Sequence, residues 1–184
     1  MKTSKGFTLI EVLITFIIIS IGLMGLLSLQ INTMNHALDA IMRGQATTLV
    51  DDLSERIRLM PEDAYQGLLN RPGTLLGLND TDCSAYEVST PEFLICEWGQ
   101  KIYKSNNSDL HTAPQGAVGC IDWSPQRPSN DRYKTIRVQV AWVGQTPTTE
   151  APAQCGVDYI DPEYRRVLWR DINVRNKEWK ELIL

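Results

Sequence analysis

Apolar positions dominate one stretch near the start of this chain and are patterned differently beyond it. From Val12 to Leu29 they run almost unbroken, and no charged residue lies between Glu11 and Asp39. At 1.5 Å per residue the run covers about 27 Å of a hydrocarbon core roughly 30 Å thick, and Phe7 to Ile10 supply the remainder. Farther on, Ile31, Met34, Leu38 and Ile41, then Leu49, Leu53, Ile57 and Met60, recur at helical spacing. Asp39, Arg43, Asp51, Asp52, Glu55, Arg56 and Arg58 populate the other faces. Pro61 is a natural stop. The pattern predicts one helix of roughly 80 Å from about Phe7 to Met60, far longer than membrane crossing requires. Its second half therefore needs a surface to pack against, and a small sheet is the economical one.

No period holds from Pro61 to about Thr90, where Gly67, Pro72-Gly73, Gly77, Asn79-Asp80 and Asp82 read as turns. The period then becomes two. In Tyr133 to Val143, Ile136, Val138, Val140 and Trp142 alternate with Arg137, Gln139 and Ala141, which predicts a strand with one buried and one wetter face. Arg165 to Val174 predicts a second strand, Ala117 to Trp123 an earlier one, and Gly144 to Pro152 a loop. The expected fold class is α+β, a long N-terminal helix covering one face of a small antiparallel sheet.

Charge adds direction. Lys2 and Lys5 precede the apolar run and would stay on the cytoplasmic side, placing everything after about residue 30 across the membrane. The apolar core exceeds the 7–15 residues of a cleaved secretory signal, and Gln30-Ile31-Asn32 offers no Ala-x-Ala site. Glu11 is the anomaly, because a carboxylate at the start of a membrane helix is costly and needs a partner. Lys2 and Lys5 are near it in sequence, and cleavage after Gly6 would create another cation, the α-amino group of Phe7. Gly22 and Gly25 within the helix permit local extension or close packing against a neighbouring helix.

Four cysteines, Cys83, Cys96, Cys120 and Cys155, all lie beyond the apolar helix, which suits an oxidising compartment. Three connectivities are open to them. Cys83 with Cys96 and Cys120 with Cys155 is the preferred set, closing a short loop and clamping two strand-rich regions. Their spacings lack the close Cys-x₂₋₄-Cys pairs of structural zinc.

The segment Lys5-Gly6-Phe7-Thr8-Leu9-Ile10-Glu11-Val12, followed by the apolar helix, resembles the class III signal of type IV prepilins and the related pseudopilins. That resemblance implies cleavage after Gly6 by a prepilin peptidase, N-methylation of Phe7, and a role for Glu11 in setting the register of neighbouring subunits. It implies a type IV pilin-like fold divided into a leader (1–6), a transmembrane and filament-core half-helix (7–29), a periplasmic half-helix (30–60) and a disulfide-containing head (61–184). Farther along, Cys96-Glu97-Trp98, Gly119-Cys120-Ile121, Ile136 to Trp142, and Cys155 with Tyr164-Arg165-Arg166-Val167 resemble minor pilins of the PilV type. Thr112-Ala113-Pro114-Gln115-Gly116 departs from the Gly-rich turn expected there. The implied protein is a minor pilin that primes type IV pilus assembly from the bacterial inner membrane and passes into the pilus, up to its tip. Its implied partners are other minor pilins, the major pilin, prepilin peptidase and the inner-membrane assembly platform. A minor pseudopilin of a type II secretion system is the alternative.

An enzyme is not expected. The sequence holds no nucleophile elbow, phosphate-binding loop or zincin helix, and neither a cofactor nor a metal site is expected. Asp80, Asp82 and Glu87 with Asn79 lack the regular EF-hand positions and read as an acidic loop. The formal charge of −4 becomes −6 once Lys2 and Lys5 are lost, which disfavours nucleic-acid binding. Trp98 and Trp142 read as core. Exposed members of Trp123, Trp169 and Trp179, with the tail Trp179 to Leu184, are candidate partner contacts.

Overall fold

The computed structural model describes residues 6, 8–60, 75–108, 112–124, 133–149 and 151–175. The expectations for Phe7, for the turns at Gly67 and Pro72-Gly73, and for the tail Trp179 to Leu184 lie outside them. Helix α1 spans Leu9–Arg58, a 3-10 turn spans Cys83–Ala85, and helix α2 spans Pro91–Asn107. Strands β1 (Val118–Trp123), β2 (Tyr133–Val143) and β3 (Arg165–Arg175) form an antiparallel sheet with β2 in the centre. The architecture is α+β, a long N-terminal helix with a small three-stranded antiparallel sheet, consistent with a pilin-like fold. Two compact units divide the chain, Met1–Leu38 and Asp39–Leu184.

In the second unit, Ala46, Leu49, Val50, Leu53 and Ile57 of α1 are buried against Ile136, Val138, Val140 and Trp142 of β2 and Ile172 and Val174 of β3. The helical and strand periods thus meet in one core, as their spacing requires. Packing begins later than the sequence pattern suggests, since Leu38 and Ile41 remain exposed and Met42 is the first apolar side chain against the core. Arg56 and Arg58 lie in the last turn of α1, where cations oppose the negative end of the helix dipole.

Helix α2 is the element that the two-residue period did not reveal. Thr90 caps it, its Oγ1 accepting from Phe93 N–H at 3.3 Å, Pro91 opens its first turn and Glu92 follows. Trp98 and Ile102 enter the common core, and the Trp98 indole N–H donates to the Leu49 carbonyl at 3.0 Å. Gly119 on β1 permits that approach, because a Cβ there would lie 2.2 Å from Cζ3 of Trp98. At the helix end, Asn106 pairs with the Ala117 backbone, donating to its carbonyl at 2.9 Å and accepting from its N–H at 3.3 Å.

The second face of the sheet corrects an expectation. Arg137 and Gln139, read as a wetter face, are 4% and 3% exposed. The disulfide Cys120–Cys155, Ala153 and Ile160 are also buried on this side of the chain. Register places Asp122, Arg137 and Asp171 in one cross-strand row and Cys120, Gln139 and Trp169 in the next. Arg137 is bidentate to Asp171, with Nε to Oδ1 at 2.8 Å and Nη2 to Oδ2 at 3.0 Å. A buried charge is tolerated in such a pair because its donors and the carboxylate satisfy each other.

Candidate functional site

The start of α1 is built from four residues. Thr8 stands at the cap position and Glu11 three residues later, the Thr-x-x-Glu spacing of a capping box, of which the half from the Glu11 carboxylate back to the Thr8 N–H is made. Both Thr8 N–H and Thr8 Oγ1–H donate to Glu11 Oε2 at 3.3 Å. The backbone N–H of Glu11 donates to the Thr8 carbonyl at 3.1 Å. Glu11 is exposed in the single chain, and its negative charge lies at the positive end of the helix dipole. Gly6 is exposed and outside the helix, whereas Phe7 lies beyond the described residues. The Thr-x-x-Glu spacing is the sequence signal for this role of Thr8.

Beyond Glu11 the helix surface is apolar and uncovered. Among the described residues one helix, Leu9–Arg58, is long and apolar enough to cross a membrane, and none of its most apolar window is buried. Phe16 is 70% exposed and Met24 72%, which leaves large apolar area in water unless a bilayer or neighbouring helices cover it. Three of its hydroxyls are paired within the helix. Thr15 donates to the Val12 carbonyl at 2.8 Å, Ser20 to Phe16 at 2.7 Å and Thr33 to Leu29 at 2.8 Å. An apolar surrounding demands such internal pairing. Added Cβ atoms at Gly22 and Gly25 would meet nothing within 4 Å in the single chain.

Residues 1–27 match the family model of the prokaryotic N-terminal methylation motif. The match covers Gly6, Phe7 and Glu11 together with most of the apolar run. It supports a type IV pilin-like or pseudopilin-like protein. Such a motif implies processing by prepilin peptidase and a place in pilus or secretion-system assembly, and it fits anchoring in a membrane through the N-terminal helix. Pilin-type proteins are structural rather than enzymatic. No curated protein and no solved structure matches the chain.

Two disulfides hold the second unit, Cys83–Cys96 and Cys120–Cys155. They are the pair set preferred for closing a short loop and clamping two strand-rich regions. The first ties the 3-10 turn to α2, and the second ties β1 to the loop before β3. The acidic residues near Cys83 serve local structure. Asp82 accepts from Ser84 N–H and Ser84 Oγ–H, both at 2.9 Å, and Asp80 accepts from Gln100 Nε2 at 2.9 Å. The backbone N–H of Ser84, and then its hydroxyl, hold the Asp82 carboxyl below the ordinary aspartate value.

Polar links also fasten α1 to the head. Gln145 N–H, just after β2, donates to Asp39 Oδ1 at 3.0 Å, and Arg166 at the start of β3 lies 3.8 Å from the same carboxylate. Trp98 and Trp142, expected in the core, are buried, whereas Trp123 and Trp169 are 40% and 37% exposed.

Proposed function

We propose that this protein is a minor pilin of the PilV type, a structural and assembly-priming subunit of a type IV pilus. Prepilin peptidase removes residues 1–6 on the cytoplasmic side and methylates Phe7. Residues 7–29 then anchor the subunit in the inner membrane and enter the filament core, residues 30–60 continue as the periplasmic half-helix, and residues 61–184 form the head. The reading is carried by one conjunction: an uncovered apolar helix begins where the Glu11 carboxylate caps Thr8, inside a segment that matches the methylation motif.

The physics of assembly follows from the same residues. Side-by-side stacking buries apolar side chains such as Phe16 and Met24, which are exposed in the isolated chain. A suitable axial shift brings Glu11 of one subunit to the Phe7 ammonium of another. In apolar surroundings a missing partner costs several kcal/mol, so the pair selects the register. The other pilins are the partners, and the priming position is at the inner membrane with later passage to the pilus tip.

Surface pili counted in a strain that lacks the protein and cannot retract its fibres test this reading. A large loss, restored when the protein is supplied, is the expected result. Unchanged numbers would overturn the priming role and leave the type II secretion pseudopilin as the alternative to pursue.

A further inference from the structure

The sheet face formed by Asp122, Arg137 and Gln139 borders a cleft of about 650 Å³, a volume typical of sites for small organic ligands. Trp123, at the end of β1, and Trp169, on β3, both border it and are both partly open to solvent. Asp158 joins them from the loop that carries Cys155. The disulfide Cys120–Cys155 forms part of the lining, so one wall is covalently fixed to the sheet. Prepositioned walls reduce the ordering cost of binding.

One buried group in this lining lacks a partner. Gln139 donates through Nε2 to Asp122 Oδ2 at 3.0 Å, but its Oε1 accepts no hydrogen bond among the described residues. Turning the amide over would bring Oε1 against the Asp122 carboxylate, two acceptors without a donor. The orientation is therefore set, and a buried acceptor left without its hydrogen bond is destabilising. The atom is closed to solvent as the cleft stands, so a ligand donor reaches it through a shift of the side chains that cover it.

We propose that this cleft binds a neutral saccharide. The C–H face of a sugar ring suits an indole surface, while its hydroxyls can donate to Gln139 Oε1 and to the carboxylates of Asp122 and Asp158. An anionic ligand would meet those two carboxylates, and Arg137 is already engaged by Asp171. Arg137 lies 5.3 Å from the Trp169 ring centre and Lys134 5.6 Å from that of Trp123, so any ligand stacks on the ring surface these side chains leave open, and a cationic one also meets their positive charges. A neutral polyhydroxylated ring matches the donors, acceptors and aromatic area that remain.

Full-length protein in a zwitterionic detergent without a sugar headgroup provides the test. Glucose, galactose, N-acetylglucosamine, N-acetylgalactosamine and their β-linked disaccharides are titrated against tryptophan fluorescence, with saturation-transfer NMR on the same samples. At least one probe is expected to give a saturable response, weakened roughly tenfold by Trp169→Ala and more than about twofold by Asp158→Ala. No saturable response from any probe overturns the proposal, as does full affinity in Trp169→Ala. Asp158 is exposed, so its replacement is separable from folding: if Trp169→Ala lowers the thermal midpoint, unchanged affinity in Asp158→Ala is the overturning result.

Discussion

Glu11 Oε2 accepts from both the N–H and the hydroxyl of Thr8, so the carboxylate closes the first turn of its own helix. The contact separates two functions that a single substitution would otherwise confound. Glutamine also serves in a capping box, and Glu11→Gln therefore keeps a side-chain acceptor while removing the charge. Glu11→Ala removes both. If Glu11 aligns subunits through its charge, both variants reduce surface pili at least about tenfold in a retraction-deficient strain. Pilus numbers near wild type for Glu11→Gln, with loss only for Glu11→Ala, would reduce Glu11 to a helix cap.

Gly6 is exposed outside α1, and a Cβ added to it meets nothing within 4 Å. A side chain at this position therefore fits the single chain, and any processing defect comes from the peptidase's requirement for glycine. Intact-mass spectrometry of membrane-extracted protein is expected to show a chain beginning at Phe7 and carrying one added methyl group. Gly6→Val is expected to retain the mass of the uncut chain without the methyl, while the head keeps its thermal midpoint. A cut and methylated Gly6→Val protein would contradict the assigned cleavage requirement.

Arg165, at the start of β3, is 1% exposed and reaches into the preceding loop. It donates to the carbonyls of Ala151 at 2.9 Å and Cys155 at 3.0 Å and also to that of Ala153. One guanidinium thus satisfies three backbone acceptors beside the Cys155 disulfide. Arg165→Met preserves much of the volume but leaves those acceptors without their donor, at about 1–3 kcal/mol for a buried group left unpaired. A net loss of about 3 kcal/mol is expected, lowering the thermal midpoint by roughly 10 °C. Urea unfolding followed by tryptophan fluorescence checks the loss, and Arg165→Lys is expected to fall between the two.

The strands were legible because their alternation is local: Ile136, Val138, Val140 and Trp142 point to one face wherever the sheet is placed. Their cover was less legible. Arg137 and Gln139 look solvent-facing by residue type, yet in the folded sheet Asp171 pairs with Arg137 and Asp122 accepts from Gln139 Nε2, both from positions distant in sequence. Helix α2 carried readable start signals in Thr90-Pro91-Glu92, but a search for alternating strands passes over a helix of 17 residues. Thr8 is hard to read for a different reason. The Thr8–Glu11 pair is local, but the cost of a membrane carboxylate directs attention to distant cations before its neighbour three residues away. The cleft depends on cross-strand register and on a loop brought back by Cys155, neither of which follows from local periodicity.

The two disulfides close loops of different length and are expected to contribute unequally. Sequence separations of 13 for Cys83–Cys96 and 35 for Cys120–Cys155 correspond to about 3 and about 4 kcal/mol in the chain-entropy model. Cys120 and Cys155 are also both 3% exposed, so their replacement disturbs packing. Urea unfolding of the Cys83→Ser/Cys96→Ser and Cys120→Ser/Cys155→Ser proteins is expected to show the greater loss in the second. A greater loss in the first would place more of the head's stability in the turn before α2 than in the clamp between β1 and the loop before β3.

Acid acts on that turn through Asp82, which accepts two hydrogen bonds from Ser84 at the start of the 3-10 turn. Because these bonds favour the charged carboxylate, its folded pKa is below the ordinary aspartate value. The sign follows directly: the carboxylate stabilises the turn above its unfolded pKa, and this contribution is lost as pH falls through the depressed folded value. The Ser84 amide proton shift, followed by NMR during acid titration of the full chain in micelles, is expected to move with a midpoint below that of an unstructured aspartate. Asp82→Asn is expected to abolish that titration while leaving both disulfides formed. A Ser84 shift that titrates at or above the ordinary aspartate value would show that these hydrogen bonds do not favour the carboxylate.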